Sequence, residues 1–214
     1  MRAVLALLLL AGCGPVESGE AGMGEPAPRD ASEPAPVARE EDVLPDDVTE
    51  AMETAGALGD QLADLGQHEA AIAAYREGLD LLPEPRGRWA AAAWFHAAIG
   101  EAQWLSRDLE GARTTWMLAL LEGGLGNPFI HLRRGQTLLE LNDPKEAANE
   151  LLKALLLEGV GIFDGEDPKY FAAVVAVAKP PDGRDSWDGF KGLPAAHPVL
   201  AALLDPAVYT LRKS

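Results

Sequence analysis

The sequence predicts an all-α fold: a solenoid of about three helix hairpins, closed by a C-terminal capping helix. Three observations carry this expectation. Helical periodicity of apolar residues takes over near residue 46, one spacing of small residues recurs three times, and a proline-led apolar segment follows the last repeat.

The recurring spacing is specific. Gly59, Gly66 and Ala71 are matched by Gly100, Arg107 and Ala112, and again by Gly135, Asn142 and Ala147, with intervals of seven and then five residues each time. A large side chain follows four residues after each alanine, at Tyr75, Trp116 and Leu151. Three residues further come Gly78, Ala119 and Ala154, each followed by a leucine, Leu79, Leu120 or Leu155. Two antiparallel helices approach closely only where their side chains are small, and a residue that tolerates a left-handed backbone turns the chain between them. On this reading Gly59, Gly100 and Gly135 face Ala71, Ala112 and Ala147. Gly66 and Asn142 suit the left-handed turn. Arg107 suits it less well, so the second turn is expected to use a different cap. Asp143-Pro144-Lys145-Glu146 opens the last second helix with an N-cap acceptor, a proline at the first helical position and a glutamate able to reach back, and Asp108 is placed to cap the equivalent helix before Leu109. The units are 35 residues apart from Gly100 to Gly135 but 41 apart from Gly59 to Gly100, and the excess is expected to lengthen the helix starting near Arg88 and Trp89.

This order of small residue, turn and small residue resembles the tetratricopeptide repeat family, whose unit is a helix-turn-helix of about 34 residues. The resemblance covers roughly residues 52 to 160. It implies a right-handed α-solenoid with the repeats in a domain spanning 46–160. Two departures stand out: Arg134 occupies a position that is apolar in the family, and the first helices of units one and three lack the family's tryptophan and tyrosine.

Residues 161–214 supply the terminal element that a solenoid needs to cover its last apolar face. Asp167-Pro168 opens a helix expected to run from Lys169 to about Ala178, carrying Tyr170, Phe171, Val174, Val175 and Val177, before Pro180-Pro181 stops it. A Gly- and Asp-rich loop bearing Trp187 and Phe190 follows. His197 to Leu204 reads as a short last helix, and the two loop aromatics are expected to fold back as packing.

The other end of the chain reads differently. Met1 and Arg2 precede an apolar run from Ala3 to Leu10, too short to cross about 30 Å of hydrocarbon as a mature helix, so residues 1–12 read as a signal segment. The run ends in Leu10-Ala11-Gly12-Cys13, which resembles the lipobox of bacterial lipoprotein precursors, with an ordinary secretory cleavage site as the alternative. Cys13 is the only cysteine, which leaves the domain beyond it without a disulfide or a thiolate. The resemblance implies lipidation at Cys13, and Gly14 in place of an aspartate favours the outer membrane. From Cys13 to Pro45 the chain is rich in Pro, Glu, Ala and Gly and poor in large apolar residues, so it cannot offset its ordering entropy by burial. It reads as a disordered acidic tether able to reach about 30 Å as a coil and about 90 Å if extended.

Charge and motif content exclude several functions. A formal net charge of −16 argues against nucleic acid, whose binding draws on clustered Lys and Arg. His68, His96, His131 and His197 lie in separate units without metal-ligand spacing, and Asp182, Asp185 and Asp188 recur every third residue rather than at alternate positions as a calcium loop requires. No phosphate loop or nucleophile motif appears, so no catalytic residue, cofactor or metal is expected.

The family resemblance implies instead a concave face, lined by the first helix of each unit, on which a bound polypeptide lies. Carried over residue by residue, that face holds Asp60, Asp64, Trp94, Glu101, Trp104, Phe129, Arg133, Gln136 and Glu140. Aromatic and arginine side chains commonly dominate binding energy, and carboxylates around them select a basic or amide-rich segment. Trp94 and Trp104 fit either ligand contact or packing between helices. The expected function is therefore that of a membrane-anchored adaptor or assembly factor that binds a segment of another envelope protein. The competing expectation is an envelope enzyme or small-ligand carrier with a pocket between the repeats and the segment around Trp187.

Overall fold

The computed structural model of the chain describes residues 43–181, 183–206 and 209. The expected signal segment 1–12, the expected lipidation residue Cys13 and the expected tether as far as residue 42 lie outside the described residues. The rest is helical: α1 (Asp46–Asp64), α2 (His68–Asp80), α3 (Ala90–Leu105), α4 (Leu109–Leu121), α5 (Pro128–Glu140), α6 (Pro144–Glu158), α7 (Pro168–Val175) and α8 (Pro198–Leu203). No strand occurs among the described residues. Helices pair as α1 with α2, α3 with α4 and α5 with α6. The hairpins then stack in chain order through α2 on α3, α4 on α5 and α6 on α7. This is the all-α solenoid that the repeat spacing predicts.

Local sequence explains the hairpin turns. Gly66, Arg107 and Asn142 have φ of +74°, +66° and +62°. In each turn the residue that follows donates its N–H five residues back, at 2.9 Å in all three: Gln67 to Leu62, Asp108 to Gln103 and Asp143 to Leu138. That bond is the signature of a Schellman cap. The expectation of a different cap at Arg107 is therefore corrected. The arginine adopts the left-handed conformation, and its guanidinium lies 5.9 Å from the Trp104 ring centroid, a contact that helps offset a backbone cost of about 1–2 kcal/mol. α4 and α6 start on side-chain caps, Asp108 accepting from Gly111 N at 3.0 Å and Asp143 from Glu146 N at 3.3 Å.

The longer first period divides between two places, and the expectation that it would all go into one helix is corrected. Three of the extra residues lengthen α3 ahead of Gly100, and three lengthen the connection, which covers 81–89 between α2 and α3 but only 122–127 between α4 and α5. Trp89 closes that connection by donating from its indole to the Pro83 carbonyl at 2.9 Å.

The small residues do bring the paired helices together, but the contact differs from the expected glycine-to-alanine match. The atoms nearest to a Cβ built at Gly59, Gly100 and Gly135 belong to Tyr75, Trp116 and Leu151. A long helical side chain lies over the turn preceding its own Cα, so the residue four positions after each alanine covers the glycine. Ala71, Ala112 and Ala147 are themselves fully buried. Trp116 is also fully buried, and joins Ala97, Ala119, Leu120 and Ile130 in one core cluster.

A second cluster closes the C-terminal end. Tyr170 and Val174 of α7 bury against Leu151, Leu155 and Leu156 of α6, joined by Trp187, Phe190, Leu193 and Leu200. α7 ends at Val175 rather than near Ala178. The N–H groups of Val177 and Ala178 both turn back to the Val174 carbonyl, at 3.0 and 2.9 Å, and Lys179 precedes a proline, which disfavours helix. Trp187 and Phe190 fold onto the core with ring centroids 5.3 Å apart. Two backbone bonds fasten this segment to the end of α6, Leu193 N to Leu156 O at 2.7 Å and Val160 N to Phe190 O at 3.0 Å.

Candidate functional site

The face carried by α1, α3 and α5 divides into two halves of different character. On α1, Asp60 and Asp64 lie one turn apart and exposed. Asp60 accepts a hydrogen bond from the Tyr75 hydroxyl at 2.8 Å, and burial, reinforced by this carboxylate, pushes the Tyr75 phenol far above its ordinary range. Trp94 of α3 sits half-buried between helices. Its ring meets Phe95 and Tyr75 edge-on at 4.9 and 5.9 Å, and it covers Gly56, where a Cβ would come within 3.2 Å of the indole. Trp94 thus acts as a spacer between α1 and α3.

Around α5 the sequence-selected residues join one polar network. Arg133 donates to Glu101 Oε1 on α3 at 3.0 Å while its Nε lies 2.9 Å from the other carboxylate oxygen, a two-point pair across two units. Its Nη1 reaches Gln136 Oε1 at 2.8 Å and Glu166 Oε1 at 3.4 Å, and Gln136 Nε2 donates to Glu166 Oε2 at 2.8 Å. Burial raises the Glu101 carboxyl above the usual range, although Arg133 pulls the other way. Phe129 packs on Trp116, 6.1 Å between centroids, with the Arg133 guanidinium 5.3 Å from its ring. Arg133 is 6% exposed and Gln136 fully buried, so neither lies on open surface. Glu101 and Glu166 are themselves only partly exposed, with oxygens turned inward onto Arg133 and Gln136.

Glu140 and Trp104 complete this half. Glu140 accepts from the Tyr170 hydroxyl at 2.8 Å, lies 2.6 Å from Lys169 Nζ and 3.9 Å from Arg107. The hydrogen bond from Lys169, then that from Tyr170, holds its carboxyl below the ordinary range, while burial, then Glu140, pushes the Tyr170 phenol up to about 12. Trp104 packs partly buried against the C-terminal cluster.

Sequence reasoning missed Glu166, Lys169 and Tyr170, which lie beyond the repeats yet meet three of the selected residues. The one local signal was Asp167-Pro168. Asp167 accepts from Lys169 N at 2.9 Å and so fixes the first turn of α7. It also missed a buried charge cluster on α5 and α6. Glu150 pairs with His131 Nδ1 at 2.7 Å and accepts from Lys153 at 3.0 Å; Lys153 also donates to the Tyr209 hydroxyl at 2.5 Å, and Arg134 lies 3.9 Å from Glu150. Burial alone would push the Glu150 carboxyl up, but His131, Lys153 and Arg134 together bring it down to about 2. Arg134, the departure from the family pattern, is thereby balanced in the core.

Two clefts lie outside this face. One, of about 360 Å³, runs between Met117, Leu118 and Leu121 of α4 and Arg134 and Leu138 of α5. The other, of about 390 Å³, lies between Phe171 and Val175 of α7 and the Trp187 loop, where Lys179, Asp185 and Asp188 are exposed rather than converging on its floor. Among the described residues no group of three or more His, Cys, Asp or Glu is arranged to hold a metal ion, and no helix is long and apolar enough to cross a membrane.

Comparison with known proteins agrees with the geometry of the first hairpin. No curated protein matches the chain. A tetratricopeptide repeat model matches residues 53–85, which take in most of α1, all of α2 and part of the connection after it. The chain carries a tetratricopeptide repeat there, and that repeat supports a role in protein–protein interaction.

Proposed function

We propose that the chain is a lipid-anchored adaptor or assembly factor of the bacterial envelope, tethered through Cys13 and gripping a segment of another envelope protein on the face of α1, α3 and α5. One observation carries the binding half of this reading: this face exposes two carboxylates one turn apart on α1, Asp60 and Asp64, while the Arg133 cation is buried beneath Glu101 and Glu166. A segment bearing Lys or Arg complements such a face, gaining orientation and association rate from the opposite charge. The lipobox-like Leu10-Ala11-Gly12-Cys13 and the acidic tether behind it support the anchoring half, and Gly14 favours the outer membrane.

The test is affinity capture from detergent-solubilised envelopes, comparing the native chain with an Asp60→Asn, Asp64→Lys variant. These two residues are exposed, so the fold should survive the change. Specific partners should fall away from the variant, and should be released from the native chain by raised salt. Recovery of the same partners by both proteins would overturn the assignment of the binding face.

A further inference from the structure

The connection between α6 and α7 reaches the face at α5, where Glu166 meets Arg133 and Gln136. Its first part belongs to the core. Val160, Ile162 and Phe163 pack against the C-terminal cluster, and the Phe163 ring lies 5.3 Å from that of Phe171. The next four residues are held otherwise. Asp164, Gly165 and Asp167 are exposed, Gly165 turns the chain at φ +81°, and Glu166 N donates to Phe163 O at 3.0 Å. What ties this stretch to the face is the Glu166 carboxylate, through Gln136 at 2.8 Å and Arg133 at 3.4 Å. Beneath it lie two polar side chains that are otherwise at the centre of the proposed groove.

We propose that residues 164–167 form a strap that closes the α5 half of the groove from within the chain, with Glu166 as its latch. The inference rests on the groove reading above. Closed, the strap covers Arg133 and Gln136; open, it offers them to a partner. The arrangement keeps the difference between the two states small. Glu101 still pairs with Arg133 when Glu166 leaves, so no guanidinium is stranded, and the side-chain amide of Gln136 is the donor that loses its acceptor. A short, largely exposed stretch whose side-chain tie to the face is Glu166, its other bonds being local, belongs to the class of elements that open locally well below the free energy of global unfolding. The flanking elements stay anchored, by Phe163 on one side and by Tyr170 and Val174 on the other. A partner that supplies an acceptor to Gln136 binds the open state alone and shifts the population toward it.

Hydrogen exchange on the full chain tests the latch without any partner. Glu166→Ala should raise exchange of the amides of residues 161–167 and of the Gln136 side-chain NH2 at least tenfold, and leave the amides of α1 to α4 unchanged. Glu166→Gln keeps an acceptor for Gln136 but no charge for Arg133, and should fall between the two. Unchanged exchange over 161–167 in both variants would overturn the proposal. Faster exchange throughout α1 to α4 in Glu166→Gln would overturn it as well, because Glu166 would then be holding the stack rather than latching a strap. These results stand apart from the capture experiment: a groove that binds nothing leaves the exchange pattern intact, and a strap that never opens leaves Asp60 and Asp64 free to bind.

Discussion

Gly100 lies directly against the indole of Trp116: a Cβ built on the glycine would stand 2.9 Å from both Cδ2 and Cε2. Trp116 is fully buried and cannot swing aside, so Gly100→Ala must push α3 from α4. We expect a loss of about 1–3 kcal/mol from overpacking. Gly126 is the control, since a Cβ there meets nothing within 4 Å and its φ is not left-handed. Gly126→Ala should stay within about 0.5 kcal/mol of the native chain. Equal urea midpoints for the two variants would refute the close approach of α3 and α4.

The hairpin turns allow backbone strain to be separated from packing. Nothing lies within 4 Å of a Cβ on Gly66, whose φ is +74°, so Gly66→Ala should cost about 1–2 kcal/mol through the left-handed conformation alone. Arg107 already bears that cost at φ +66°. Arg107→Gly removes it but adds backbone entropy to the unfolded chain and loses the Trp104 contact, so the net change should be a gain of at most about 1 kcal/mol. A loss greater than about 1 kcal/mol in thermal unfolding would show that the contacts to Trp104 and Glu140 outweigh the strain.

Gly59, Gly100 and Gly135 show how far the sequence is legible. Their spacing to the turns and alanines announced three hairpins because it repeats, and repetition is a one-dimensional property. What each glycine touches depends on side-chain direction: Trp116 leans toward the start of its helix and covers Gly100 from four residues beyond Ala112. The α1–α3–α5 face was legible to the same degree. The family resemblance implied that Glu101, Arg133 and Gln136 share a face, but nothing local announces that Glu166, thirty residues past Gln136, will meet Arg133 and Gln136 there. Glu150 and Lys153 look like an exposed pair three residues apart on α6. They are buried between α5, through His131 and Arg134, and Tyr209, 56 residues past Lys153.

Glu150 predicts an acid limb in the stability of the fold. Its folded carboxyl titrates at about 2 against an ordinary 4.5, so the unfolded chain binds the proton more tightly. Stability from this group is complete above about 4.5 and is lost as the pH falls from there toward 2. Glu150→Gln should flatten that part of the pH profile. It should also cost about 3–5 kcal/mol at neutral pH, because Lys153 and Arg134 lose their shared counter-charge inside the core. Chemical denaturation at a series of pH values reads both effects, and an unchanged acid limb in Glu150→Gln would show that other carboxylates govern it.

The proposed anchor at Cys13 predicts a different kind of outcome. Each buried methylene of an acyl chain contributes about 0.8 kcal/mol, and since one chain binds a bilayer only marginally, the two or three chains expected on Cys13 make attachment effectively permanent. No helix among the described residues is long and apolar enough to replace them. Cys13→Ser should therefore abolish incorporation of labelled palmitate and leave the chain either soluble or uncleaved. Fractionation distinguishes these products by mass: a chain that keeps residues 1–12 stays with the membrane as a heavier precursor, whereas a cleaved chain appears in the soluble fraction. A cleaved Cys13→Ser chain that remains on the membrane without label would remove the lipid anchor, and the tether would then need another point of attachment.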